Sequence, residues 1–268
     1  MPRPQRLCIF CGRPGLTREH VWADWLKKYI PKNEINYSSF SATLHPTRSD
    51  FRRKKVAGDL RSRRLRVVCR SCNNGWMSRL QERAKPLLLP LIKGESTAFT
   101  YDDQELLAAW ITMFVVVAEQ FDPYKAVSTK KERQYLRRNT RAPSNWRICI
   151  GDFEKKKWPG LLVRFVVPIR GPKHRPQLMD NGLPRPNTQS VTFVVGRLFI
   201  HVRSSATDIF DNLRLARPDI LAEIWPIPRR IVGWPRRPLN DHDADSIASS
   251  LHLKSDAVAD QMFGRQNR

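Results

Sequence analysis

Acidic residues are scarce in this chain, 25 Asp and Glu against 48 Lys and Arg, for a formal net charge of +23. Such an excess favours a polyanionic partner, most simply nucleic acid, although an anionic membrane surface also satisfies it. A signal segment is missing too, because MPRPQRLCIF carries no apolar stretch before its first cysteines, and an intracellular, cytoplasmic protein is expected. Long hydrophobic runs are lacking. The most apolar stretch, AAWITMFVVVA at 108–118, falls well below the roughly 20 residues that cross a bilayer, so no membrane partner is expected. Cysteine is sparse, and five residues in an intracellular chain do not suggest a disulfide framework. No internal repeat, low-complexity tract or helix-turn-helix pattern is present, which leaves sequence-specific DNA reading unsupported.

What the chain does have is unevenly placed. Residues 1–90 hold 20 Lys or Arg and 6 Asp or Glu, and four of the five cysteines. A domain is therefore expected over 1–90, followed by a junction, KPLLLPLIKGES, in which Pro86 and Pro90 each end helical character. Residues 101–268 form the second expected unit. It opens with a helix over 101–121, capped by Asp102 with Glu105 at N3 and ended by Pro123. A short basic helix near 129–138 follows. Strands are expected at 146–150, 161–169 and 190–202, the last folding back at Gly196–Arg197. SATDIFDNLRLARPDILAEIW reads as helical pieces broken at Pro218, and Asp241-His242-Asp243 as solvated loop.

Cys8-Ile-Phe-Cys11 and Cys69-Arg-Ser-Cys72 have the spacing of zinc knuckles. Four thiolates close the coordination of one tetrahedral Zn²⁺, leaving no open position for a reactive water. That zinc is structural: it pins the ends of a thinly cored domain.

CIFC, then LTREHVWADWL, then VVCRSCNNGWMSRLQE resembles the HNH endonuclease superfamily in its zinc-braced form. The resemblance covers residues 7–85 and rests on the order of the elements: a cysteine pair, an acid–His dipeptide, a second pair, and Asn directly after it. It implies an α+β protein whose small ββα-metal (HNH) domain precedes a helical and strand-rich C-terminal domain. It further implies Glu19 and Asn73 as ligands of a catalytic Mg²⁺ or Mn²⁺, and His20 as general base. Asn74 is a rival for the second ligand, and many members carry Asp where this chain has Glu19. Because neighbours on a strand face opposite ways, Glu19 and His20 serve one phosphate only if the strand ends or twists between them.

Between the cysteine pairs, residues 48–66 carry nine basic residues and two acids. Arg52, Arg53, Lys54, Lys55, Arg61, Arg63, Arg64 and Arg66 form an expected phosphate clamp, which positions a backbone without reading sequence. A solvated loop is the plainer reading. Trp76, Met77, Leu80 and Ala84 read as core, as do Val21, Trp22, Trp25 and Leu26. His45, His174, His201, His242 and His252 read as lone histidines without catalytic roles, and Cys149 as a small buried residue.

The expected activity is metal-dependent hydrolysis of nucleic acid, with double-stranded DNA implied by the resemblance. A non-catalytic zinc-braced nucleic-acid-binding protein is the main competitor. A structural or regulatory protein contacting a protein partner or a second copy through its C-terminal half is the third.

Overall fold

The computed structural model describes residues 6–30, 37–45, 48–55, 60–154, 162–170, 177–180, 182, 184–211, 217–228 and 231–251, with backbone alone from 37 to 60. His174 and His252, and the side chain of His45, lie outside this set.

β1 (Leu16–His20) leads into a 3-10 turn, Asp24–Tyr29, whose Leu26 is fully buried, and then to β2 (Tyr37–His45) and β3 (Arg48–Lys55). β4 (Arg64–Cys69) returns to pair antiparallel with β1, in a ladder that a bulge interrupts at Thr17/Arg18. α1 (Arg70–Cys72) follows, then a widened helical turn, Asn73–Met77, and α2 (Ser78–Lys93). Gly75 breaks the helical dihedrals inside that turn. β1, β4 and the helix after it thus form a strand, strand, helix unit, with both cysteine pairs at the Leu16–Cys69 end of the ladder.

α2 runs through both prolines, contrary to the expected break at Pro86 and Pro90. The two are one helical turn apart, so the hydrogen bonds they cannot donate are lost on one side of the helix. Ala84, Leu88, Leu91 and Ile92 bury the opposing face, and this packing outweighs the local penalty.

β5 (Thr97–Phe99) precedes α3 (Tyr101–Ala118), the central helix. Its cap is Thr100 with Asp103 at N3, two residues before the expected Asp102–Glu105 pair. Every residue from Leu107 to Glu119 is buried. With its 3-10 extension to Phe121 the helix has 21 residues, and its most apolar 18-residue window has a mean hydropathy of 1.2, long and apolar enough by length and composition to cross a membrane. The sequence expectation rests on 108–118 alone, a stretch too short to span. The fold, however, buries 78% of that helix's most apolar window, as befits a core helix.

α4 (Lys130–Asn139) is the expected basic helix. β6 (Trp146–Asp152), β7 (Leu162–Val167), β8 (Thr188–Val195) and β9 (Leu198–Ser205) follow, with Gly196 and Arg197 turning β8 into β9 as the sequence suggested. Residues 206–211 and 217–225 correct the helical reading, residues 212–216 lying outside the described set: β10 (Leu221–Trp225) is an edge strand paired with β6. β11 (Val232–Trp234) pairs with β5, and α5 (Asp241–Ala248) is a helix where loop was expected, capped by Asn240.

One seven-stranded sheet runs β10-β6-β9-β8-β7-β2-β3. All neighbours are antiparallel except β2 and β7, which are parallel. The insert between β1 and β4 is therefore shared with the sheet of the C-terminal half. The apolar core is shared too, since one cluster runs from Cys8 and Trp22 through α2 and α3 to Phe193 and Trp234. Trp22, Phe114 and Phe193 meet at its centre, with ring centroids 4.3 to 5.8 Å apart.

α2 is held at its C-terminal end by the β8–β9 turn. Arg197 N–H donates to the Ile92 carbonyl at 2.9 Å, and the Arg197 side chain clamps Asp152 through two bonds of 2.8 and 2.7 Å. Gly196 has a φ of +57°, and a Cβ there would lie 2.4 Å from the Ile92 oxygen.

Candidate functional site

The first cysteine pair sits on a tight turn. Gly12 N–H donates to the Cys8 carbonyl at 2.9 Å, and its φ of +73°, a conformation that favours glycine, lets the chain reverse into β1. Ile9 N–H donates to Val67 O on β4, which brings the two knuckles together. Phe10 meets Trp76 edge-on at 4.9 Å, and Arg133 of α4 donates to Ile9 O at 2.9 Å.

The result is a cluster in which the Sγ atoms of Cys8, Cys11, Cys69 and Cys72 all lie within 4.8 Å of one another. A tetrahedron of Zn–S bonds of about 2.3 Å has edges of about 3.8 Å, so four thiolates fit one ion such as zinc. All four are free thiols, and three are buried. Burial raises the Cys8 thiol, but N–H groups of Cys69, Cys11 and Phe10 aimed at its sulfur outweigh this and bring it down to about 7. Burial and the nearby Cys8 push Cys72 up, and burial does the same to Cys11. Crowded thiols that resist ionising together are a donor set whose charge a cation offsets.

Beside the cluster, Asn73 follows Cys72 directly. Its Nδ2 donates to Thr17 Oγ1 at 3.3 Å, and its side chain also hydrogen-bonds Glu19. The structure therefore brings Glu19 and Asn73 together. Glu19 is 6% exposed. Burial pushes its carboxyl up to about 7, with only the Asn73 bond pulling it down. Among the described residues no cationic side chain pairs with it. A buried carboxylate without a cation is costly. That carboxylate and the Asn73 Oδ1 are hard oxygen donors of the kind that Mg²⁺ or Mn²⁺ takes.

His20 is the last residue of β1, so the strand ends directly after the Glu19-His20 pair. Arg64 lies directly opposite it and Arg66 opposite Arg18, so these four side chains share one face of the ladder. Glu19 turns inward opposite Leu65. Both Glu19 and His20 nevertheless border one cavity of about 10 Å³, walled by Met77, Gln81, Trp110 and Phe114. That is room for about one water. Burial lowers the His20 pKa; Asp24 opposes this, while Arg64 and Lys27 add to it.

Asp24 is a site neighbour that the sequence expectation does not include. Its Oδ1 lies 3.4 Å from His20 Nδ1, within ion-pair reach but without hydrogen-bond geometry, and Lys27 also pairs with it. An acid four residues after the histidine was the available signal.

The basic insert divides. Arg61 and Arg63 lie just ahead of β4, the Arg63 carbonyl accepting from Val21 N–H at 3.1 Å, and Arg64 and Arg66 are exposed on β4. Arg52, Arg53, Lys54 and Lys55 belong to β3, at the far edge of the seven-stranded sheet, and their side chains lie outside the described residues. Met77, Leu80, Ala84, Val21, Trp22 and Leu26 are buried as expected. His201 is buried against Thr192 Oγ1 at 2.8 Å, and Cys149 is buried as well.

No protein-family model matches the chain, and neither does any curated protein or solved structure.

Proposed function

We propose that this chain is a metal-dependent endonuclease of the HNH type, hydrolysing phosphodiester bonds of nucleic acid, with DNA as the expected substrate. The observation that carries the reading is the meeting of Glu19 and Asn73 beside the four-cysteine cluster, at the junction of a strand, strand, helix unit. Composition alone asks for a polyanion; this juxtaposition asks for a cation between a protein carboxylate and a phosphate.

In this reading zinc on Cys8, Cys11, Cys69 and Cys72 is structural. Glu19 and Asn73 would hold Mg²⁺ or Mn²⁺, which supplies charge stabilisation at the scissile phosphate when bound. His20, kept neutral by its surroundings, accepts a proton from the attacking water. Arg64 and Arg66, on the same face, hold phosphates on either side. Thr17 orients the Asn73 amide.

One observation favours the non-catalytic alternative. α3 covers Glu19 so closely that little space remains beside it. A nucleic-acid-binding scaffold without a second metal would tolerate that cover.

Plasmid cleavage at low salt separates the two. Mg²⁺ or Mn²⁺ is compared with EDTA, for the unaltered chain and for His20→Ala with its zinc content verified. Ion-dependent cleavage that disappears in the zinc-loaded variant is the expected result. Retention of DNA without cleavage under either ion would establish the scaffold instead, and cleavage that survives in the variant would remove His20 from the chemistry.

A further inference from the structure

Six large hydrophobic side chains are strongly exposed among the described residues, and three of them, Leu7, Tyr124 and Leu178, line one groove. They are 50%, 73% and 72% exposed. Arg6, Arg66 and Arg185 line the same groove, against the single acid Asp180. Its volume is about 570 Å³, within the range of sites that enclose small organic groups. An aromatic ring and two aliphatic side chains open to water beside three guanidinium groups are not explained by packing.

The turn that carries Tyr124 is firmly supported. Tyr124 sits in the 3-10 turn Pro123–Lys125, and the carbonyl of Lys125 accepts from Arg164 Nη2 at 2.6 Å. Arg164 is fully buried, its Nε bonded to Gln189 Oε1 at 2.9 Å. Gln189 in turn bonds the buried Glu119, from which the turn departs. A buried charged network thus fixes the position of an exposed ring.

We infer that this groove takes a single-stranded stretch of nucleic acid, with a base stacked on Tyr124 and its phosphates held by Arg6, Arg66 and Arg185. The inference rests on the nucleic-acid reading above and adds a strand preference to it. In a duplex the faces of the bases are hidden in the stack; only an unpaired base offers one to a tyrosine. Guanidinium groups lining the same groove as an aromatic platform suit the phosphates and bases of a single strand. Arg66 joins the groove to the His20 face, because Arg64 lies two residues along β4, about 7 Å away. A strand in the groove therefore leads toward His20.

The test is fluorescence anisotropy with a labelled 15-nucleotide oligo-dT and a labelled hairpin duplex, in EDTA, using the full zinc-loaded chain. Tyr124→Ala is expected to weaken oligo-dT binding about tenfold or more, with Tyr124→Phe close to the unaltered chain and duplex binding changed by less than about twofold. Arg185→Ala is expected to lower the salt dependence of oligo-dT binding by about one ion. Equal losses for oligo-dT and duplex in Tyr124→Ala, or no loss for either, would overturn the groove assignment. So would tighter capture of a labelled poly-glutamate peptide than of oligo-dT. Plasmid cleavage is measured in parallel. Ion-dependent cleavage with oligo-dT binding indifferent to Tyr124 sinks the groove alone, whereas Tyr124-dependent binding without cleavage supports the groove and removes the nuclease.

Discussion

The side chain of Asn73, immediately after the second cysteine pair, hydrogen-bonds the buried carboxylate of Glu19 on β1. A residue placed by the cysteine cluster thereby meets one placed by strand pairing. If the pair holds a divalent ion, Asn73→Ala should raise the Mg²⁺ or Mn²⁺ concentration for half-maximal cleavage about tenfold or more. A metal titration of cleavage rate reads this directly, and an unchanged midpoint would exclude Asn73 as a ligand.

The cysteine cluster should bind one zinc per chain. Cys69→Ser should lose that zinc and, with several kcal/mol of metal-linked stability gone, lower the melting temperature by on the order of 10 °C. Zinc content by chelator release and thermal unfolding followed by circular dichroism check both. A variant that melts with the parent would mean the thiols hold nothing.

His20 is held below the ordinary histidine pKa of 6.5, chiefly by burial. A general base of this kind stays neutral to lower pH, so the acid limb of the cleavage profile should lie below 6.5. Asp24 pulls the other way, and Asp24→Asn should move that limb further toward acid. A limb that stays in place would detach Asp24 from the imidazole.

His201 is pushed down to about 3, by burial first and Arg203 second. Its unfolded value is near 6.5, so the unfolded chain takes up a proton that the native state refuses. The stability tied to neutral His201 is present above about pH 6.5 and is lost as pH falls toward 3, about 2–3 kcal/mol of it between pH 7 and 4.5. Glu19, raised to about 7, acts in the opposite direction. Urea midpoints of the unaltered chain and His201→Leu at both pH values isolate the histidine, because the Glu19 contribution cancels. The variant should have the shallower acid dependence.

Gly196→Ala should cost about 1–3 kcal/mol. The new methyl group would meet the Ile92 carbonyl oxygen at 2.4 Å on a backbone whose φ is +57°. Urea denaturation measures the loss, and a parental midpoint would mean the turn can withdraw from α2.

Where the sequence was read correctly, the signal was local. The two-residue spacing within each cysteine pair, the periodicity of α3 and the glycine between β8 and β9 each depend on residues near in sequence. Where it misled, distant packing decided the outcome. Pro86 and Pro90 sit inside α2 because Leu88, Leu91 and Ile92 are buried across it. LAEIW is helix-compatible in isolation, but pairing with β6 draws it into a strand. Asp241-His242-Asp243 reads as loop on its charge alone, whereas Asn240 caps it as the first turn of a helix. In the candidate site, Glu19, His20 and Asn73 were visible through order and spacing. The cover laid over them by Trp110 and Phe114 was not, since nothing local ties α3 to β1.

The anchoring of Ile92 by Arg197 also has a meaning in time. Glu19, His20 and Asn73 are synthesised more than a hundred residues before Arg197, whose N–H secures α2. β7, the parallel partner of β2, begins only at Leu162. A nascent chain therefore carries the residues proposed to cut before the segments that hold the end of α2 and the insert strand β2. Order along the polypeptide thus separates the proposed site residues from the segments that lock their helix and their insert into the fold.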